Sequence, residues 1–299
     1  MSTFTGPVRL CELADGVHAF LQPDGGWCLN NAGLLVGGGT AVLVDTAATE
    51  ARASRLRELA VTAAGAIPRV VVNTHAHGDH TFGNGVFPEA LVVGHEGTRA
   101  EAERAGLHLT TLWPDVEWGK IEVVLPQATF RDPIAARLGG HDIELHSFAS
   151  AHSASDTVVW LPGRRVLFAG DLVLSGVTPF VLTGSISGLR AALGRLREFD
   201  AATVVPGHGP VGGPELFDQT ERYLGWLTEL ARAGIAAGLT PLQAARDADL
   251  GEFAGLIDSE RLAPNLHRAY VDLGAEPADL DQLLADMTRL HGGMPACHA

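Results

Sequence analysis

The tract Thr74-His75-Ala76-His77-Gly78-Asp79-His80 constrains this chain more than any other feature, because it directly follows an apolar run, Pro68 to Asn73, of buried-strand length. Side chains two apart at a strand end share a face, so His75 and His77 converge on one point. The turn at Gly78 then swings Asp79 and His80 to an adjacent point. Two neighbouring metal positions follow. From the chain's own His and Asp frequencies, H-x-H-x-D-H arises by chance on the order of one time in a thousand, which separates it from a solvated polar loop.

One loop does not complete a metal site, and three further polar residues stand at the ends of apolar runs. His152 lies just past the strand expected to end at Phe148, Asp171 follows Val166 to Phe168, and His208 sits in Pro206-Gly207-His208-Gly209-Pro210 after Val204-Val205. A lone histidine in a Gly-Pro loop is more often a surface or capping residue than a ligand. Together with the first motif, however, the three complete a set. Five of the thirteen histidines thereby acquire a chemical task.

The 299 residues suffice for one large α/β domain or two smaller ones, and 46% hydrophobic with 19% charged residues makes the chain globular. A formal net charge of -14 argues against a nucleic-acid polyanion or an anionic membrane surface as partner. The three cysteines, Cys11, Cys28 and Cys297, show no C-x-x-C spacing and read as reduced thiols. The N-terminal stretch MSTFTGPVRLCELADG lacks the basic and apolar regions of a secretory leader, and no segment has the roughly 18 apolar residues of a membrane helix. A soluble, cytoplasmic protein is expected, with a homodimer as the default assembly.

Short strands are expected at Val17 to Leu21, Leu29 to Val36 and Ala41 to Val44, forming an antiparallel meander. Glu50 to Ala64 then places Leu56, Leu59 and Ala63 on one helical stripe, and helix alternates with strand through Ala90–Gly94, His95–Ala105, Ala201–Val205 and Pro214–Gly238. His141 to Phe148, Asp156 to Leu161 and Arg164 to Phe168 read as a second antiparallel set. Two β-rich halves, each ending in helices, predict two packed sheets with helices outside. Beyond Leu239 the chain becomes short helical pieces, so residues 1–239 are read as the main domain and 240–299 as a helical C-terminal extension packed on it.

From about Leu13 to Gly213 the chain resembles the metallo-β-lactamase superfamily. The likeness rests on Leu43-Val44-Asp45-Thr46, His75-Ala-His-Gly-Asp-His80, Ala151-His152-Ser153 with Asp156-Thr157, Phe168-Ala-Gly-Asp171 and Pro206-Gly-His-Gly209. The resemblance implies an α/β fold, an αββα sandwich, with two zinc ions per chain in a cleft between the sheets. By that analogy His75, His77 and His152 bind the first zinc, Asp79, His80 and His208 the second, and Asp171 bridges them. Imidazole and carboxylate donors suit Zn²⁺ on chemical grounds as well. Zinc would polarise a carbonyl and acidify water, with Asp79 as the catalytic residue that orients the attacking water or accepts its proton.

Departures narrow the reading. Di-iron redox members place Glu where this chain has His77, which favours zinc hydrolysis. β-Lactamases of the superfamily usually carry Cys or Ser at the position of Asp171 and are normally exported, which points away from antibiotic hydrolysis; a metal-binding module without catalysis is the non-enzyme alternative. The apolar tract from Asp171 to Ser185 and the segment Trp113 to Trp118 suggest an aromatic-lined pocket, with Trp113 and Phe180 as substrate contacts unless they simply fill core. His267, on a C-terminal helix expected to cap the cleft, is a third candidate, against a plain surface role. The stretches Leu13 to Trp27, Ser175 to Phe180 and Pro264 to Tyr270 are similar to the actinobacterial cyclase/thioesterase branch of aromatic polyketide biosynthesis. The reading is a hydrolase of a thioester, ester or lactone, and that similarity implies a small-molecule or acyl-carrier-bound substrate, an aromatic polyketide in particular; a generic metallo-hydrolase of another small hydrophobic ester, or a β-lactamase-like enzyme, is the alternative.

Overall fold

Apolar runs punctuated by glycine turns build an antiparallel meander from β1 (Arg9–Ala14), β2 (Val17–Leu21), β3 (Ala32–Gly37) and β4 (Thr40–Val44) in the computed structural model, which describes residues 6–299. Residues 1–5, the start of the stretch read above for a leader, lie outside the described residues. Helix α1 (Glu50–Ala64) is capped by the Thr49 hydroxyl, which accepts from the Arg52 amide, and ends at left-handed Gly65. It crosses to β5 (Val70–Val72), parallel to β4; α2 (Gly78–Thr81), β6 (Leu91–His95), α3 (Glu96–Ala105), α4 (His108–Leu112) and β7 (Ala128–Phe130) follow.

The second half comprises β8 (Ile134–Leu138), β9 (His141–Ala149), β10 (Ser155–Leu161), β11 (Val166–Leu174), α5 (Ile186–Arg197) and β12 (Thr203–His208). Helices α6 (Glu215–Ala236), α7 (Pro241–Arg246), α8 (Leu262–Asp272) and α9 (Leu280–His291) complete the chain. Among the described residues β1 to β7 form one sheet in sequence order, and β12-β11-β10-β9-β8 form the other. Alternation of apolar residues gives each sheet an inner face: Val17, Leu35, Val44 and Val72 from the first meet Ile143, Leu145, Val159 and Phe168 from the second. Leu56 and Ala60 of α1 cover the outer face of the first sheet, while α5, α6 and α8 cover that of the second. The architecture is an αββα sandwich.

Two local readings shift. In α1 the buried stripe is Ala53, Leu56 and Ala60, with Leu59 half-buried and Ala63 exposed, because the small alanines let the helix lie close against the sheet. The tract after Asp171 is strand as far as Leu174, so the bridging candidate sits inside β11 rather than in a loop beyond a strand end. Leu262, Ala263, Leu266 and Ala269 of α8 share one apolar cluster with Leu167, Val173, Leu189 and Leu224, so the C-terminal helices and the second sheet bury a common core.

Candidate metal centre

Strand ends of both sheets meet at one edge of the sandwich, which places the polar residues at those ends in one cleft. His75 and His77 follow β5, Asp79 and His80 lie on α2, His152 occupies the β9–β10 turn, Asp171 lies in β11 and His208 ends β12. The structure gathers them into two groups, His75, His77, His152 and Asp171 in one and Asp79, His80 and His208 in the other. Within each, one donor atom per residue lies within 4.8 Å of the rest. Asp171 reaches both groups: its Oδ2 is 3.4 Å from His152 Nε2 and 3.7 Å from His208 Nε2, and its Oδ1 is 3.2 Å from His80 Nε2.

Glycine makes this approach sterically possible at two positions. Gly170, at φ +52, has a left-handed backbone that L side chains rarely adopt, and a Cβ there would press on Thr74. At Gly207 a Cβ would overlap the Asp171 carboxylate. The loop carrying His208 is held by Asn31, whose side-chain amide donates to the carbonyls of Pro206 at 2.9 Å and Gly209 at 2.8 Å.

Hydrogen bonds fix the tautomers of four imidazoles. His152 Nδ1–H donates to the Phe180 carbonyl (2.6 Å), His208 Nδ1–H to the Gly25 carbonyl (3.0 Å) and His80 Nδ1–H to Asp45 Oδ2 (2.8 Å). The Thr74 hydroxyl donates to Asp45 at 2.7 Å, so its oxygen accepts from His75 Nδ1–H at 3.0 Å. With each Nδ1 proton engaged, it is Nε2 that faces the cluster, as a lone pair whenever the ring is neutral. His77 instead turns Nδ1 inward, 3.0 Å from His152 Nε2. His75 Nε2, His80 Nε2 and Asp171 Oδ1 are buried without a hydrogen-bond partner. Orphaned acceptors of this kind cost free energy unless a cation sits among them. The donor set therefore fits a borderline-soft divalent metal such as zinc.

Electrostatics make the same demand. Burial and the neighbouring imidazoles push His75 well below its usual pKa, and burial takes His77 down to about 3, so both stay neutral donors. Burial alone would raise Asp171, yet His208, His80 and His152 hold it well below the carboxylate range; Asp79 is likewise lowered against burial by His80 and His208. His80 moves the other way: against burial, Asp171, Asp45 and Asp79 raise it well above normal. Unsatisfied negative charge at this point retains a proton that a metal cation replaces.

A cavity of about 410 Å³ opens over the cluster, bordered at its floor by His77, Asp79, Asp171 and His208. Its walls are mostly apolar. Trp113 and Phe180 both line it, and Trp27 packs between them with ring centroids 5.4 and 5.2 Å away. Trp118 lies beneath, its Nε1 donating to the Trp113 carbonyl and its ring 6.1 Å from Phe82. His267 is not among the lining residues. It joins α8 to α9 through a 2.9 Å hydrogen bond to Asp286, and α9 supplies the cavity wall with Leu284 and Met287. Trp27, His108 and the α9 face also line the cavity without a local motif to mark them; the amphipathic pattern of Leu280 to His291 is the one signal in the sequence, and periodicity does not say what a helix covers.

A family model described as the metallo-beta-lactamase superfamily matches residues 25–208, more than half of the chain, and the chain belongs to that superfamily. Metallo-beta-lactamase type 2 from Bacteroides fragilis is 25% identical over 224 residues, covering 72% of this chain and 84% of that protein. A solved metallo-beta-lactamase from Pontibacter korlensis superposes with a TM-score of 0.61 at 22% identity, over 73% of this chain and 99% of its own. FIM-1 from Pseudomonas aeruginosa, solved in its mono-zinc form, gives 0.60 at 20% identity, over 74% of this chain and 96% of its own. The protein is thus a hydrolase of the metallo-beta-lactamase superfamily with a His/Asp cluster suited to metal. Among the described residues no helix is long and apolar enough to cross a membrane.

Proposed function

We propose that the cluster holds two zinc ions and that the protein hydrolyses a thioester, ester or lactone, with a carrier-bound aromatic polyketide as the particular substrate class. The observation that carries this reading is the set of Nε2 lone pairs from His75, His80, His152 and His208, each fixed by an engaged Nδ1 proton, converging on Asp171 beneath a cavity. His75, His77 and His152 would hold one ion, Asp79, His80 and His208 the other, and Asp171 both. Bound zinc supplies Lewis-acid polarisation of a carbonyl and acidifies water near neutral pH.

The chain's own residues do the rest. Asp79 borders the cavity and stays ionised, so it accepts a hydrogen bond from the attacking water and orients it. Trp27, Trp113, Phe180 and Met287 bind a flat apolar acyl group and exclude bulk water around the reacting carbonyl. A volume of about 410 Å³ accommodates such a group while leaving the remainder of a carrier-tethered chain outside. If ring closure accompanies hydrolysis, the same walls fold the chain before it is released.

Metal analysis of protein purified without added zinc, joined to a hydrolysis panel of acyl thioesters, lactones and a chromogenic β-lactam, tests the reading. Two zinc ions per chain with thioester or lactone turnover is the expected result. Turnover of the β-lactam alone would instead favour the activity in the name of the Bacteroides fragilis relative. A metal-free chain, or a zinc-loaded one inert toward the whole panel, sinks the proposal.

A further inference from the structure

Cys28 and Cys297 have no part in the metal cluster, and both are free thiols. The fold nevertheless brings them together from opposite ends of the chain. After α9 the backbone turns at Gly292, at φ 86, and residues 293–299 return alongside the turn that carries Trp27 and Cys28. His298 N–H donates to the Trp27 carbonyl at 3.4 Å, so the two hydrogen-bonded peptide groups are those that begin at Cys297 and end at Cys28. Two further bonds fasten the tail: Trp113 Nε1 donates to the Pro295 carbonyl at 2.7 Å, and the Arg52 guanidinium donates to the His298 carbonyl. Both cysteines lie in one apolar cluster with Trp113 and Phe82.

We propose that Cys28 and Cys297 form a peroxide-oxidisable dithiol whose disulfide ties the C-terminal tail to the wall of the cavity. This site stands independently of what the metal centre hydrolyses. The two thiols are also hydrogen-bonded to each other, so their sulfurs already face one another, as a disulfide requires. Their environments divide the roles. Cys297 is half-buried, and the neighbouring Cys28 thiol, the Ala299 backbone and Arg52 outweigh burial and lower its pKa. Cys28 is buried, and burial together with Cys297 raises it. Cys297 is therefore the attacking thiolate and Cys28 the resolving thiol.

In the first step the Cys297 thiolate attacks hydrogen peroxide; the O–O bond breaks, an S–O bond forms, and the departing hydroxide takes up a proton as water, leaving a sulfenic acid. In the second, the Cys28 sulfur displaces hydroxide from that sulfenic acid, the S–S bond forms, and the thiol proton leaves with the hydroxide as a second water. Peroxide is reduced to two waters while the two thiols are oxidised. Cys11 has no such neighbour: it lies on β1 against the inner core of the sandwich. Because Cys28 lines the cavity and α9 leads into the tail, the disulfide fixes the aromatic wall and the α9 wall to each other.

Zinc-loaded full-length protein treated with hydrogen peroxide and mapped by non-reducing peptide mass spectrometry tests the site. Two of the three thiols should disappear from a thiol titration. The peptides holding Cys28 and Cys297 should be joined until dithiothreitol is added, and amides of residues 293–299 should exchange several-fold more slowly in the oxidised protein. Cys11→Ser should leave the crosslink intact; Cys297→Ser should abolish it and leave the Cys28 thiol titratable after unfolding. Oxidation of Cys297 to sulfinic acid without a crosslink, a crosslink to Cys11 or between chains, or a crosslink with no change in tail exchange would each overturn the proposal.

Discussion

Asp45 Oδ2 lies 2.8 Å from His80 Nδ1, and the same carboxylate accepts the Thr74 amide and hydroxyl at 2.7 Å each. One buried side chain, held at φ 61 in the left-handed region, thereby sets the ring orientation of His80 directly and of His75 through Thr74. Asp45→Ala removes both supports. Zinc affinity is expected to fall about 10- to 100-fold, as for other partners that orient a ligating imidazole. Competition with a chromogenic chelator measures it, and an unchanged affinity would show that His80 keeps its orientation without Asp45.

The closeness of Gly207 to Asp171 yields a steric prediction. In Gly207→Ala the new methyl overlaps the carboxylate, which must swing away from His80 and His208. A displacement of about 1 Å at a reacting centre lowers rate on the order of 100-fold. Activity and metal content should fall together while the far-ultraviolet circular dichroism spectrum stays that of the wild type. Full activity in this variant would mean that the 206–209 loop yields instead of Asp171.

Much of this geometry was legible in the sequence, and the reason is topological. Ligand candidates stand at the ends of apolar strands, His75 and His208 after strands paired in parallel with a neighbour and His152 in the antiparallel β9–β10 turn, so the three could be assigned to one cleft without knowing any distance. The role of Asp45 was not legible, because the partner it orients lies 35 residues away and only the folded sheet joins them. Helix α5 was missed where the apolar tract after Asp171 masked its start at Ser185, whose hydroxyl caps the Gly188 amide. Strands β7 and β8 were missed for a different reason: they are short and carry exposed residues such as Thr129 and Ile134, so they lack a clean buried face.

Asp156 supports a pH prediction. Its carboxylate accepts the Ser153 amide at 2.9 Å and the Ser153 hydroxyl at 2.8 Å, pinning the turn that presents His152, while burial pushes its pKa up to about 6. An acid whose pKa is higher folded than unfolded binds its proton more tightly in the fold. Its stabilising effect is complete below the unfolded value of 3.8 and is lost as pH rises through about 6. Metal-stripped wild type should therefore lose on the order of 3 kcal/mol relative to Asp156→Asn between those limits. Urea unfolding of both proteins across that range reads the difference, and parallel pH profiles would refute the assignment.

Trp113 and His267 were both candidate substrate contacts, and the structure separates them. Trp113 lines the cavity, packs on Trp27 and donates to Pro295, whereas His267 spends its Nε2 on Asp286 in the joint between α8 and α9. Removing the indole takes away apolar wall that the proposed acyl substrate would contact. Trp113→Ala should therefore raise KM by roughly 10- to 200-fold, the range that lost apolar contacts of about 1–3 kcal/mol produce. His267→Ala leaves the cavity wall in place and removes one hydrogen bond to a carboxylate, so the fold should lose about 1–3 kcal/mol with KM unchanged. Steady-state kinetics and thermal unfolding on the same preparations distinguish the two effects. A KM shift in His267→Ala matching that of Trp113→Ala would require α9 to move over the substrate, making the His267–Asp286 joint a control on the cavity instead of a fixed seam.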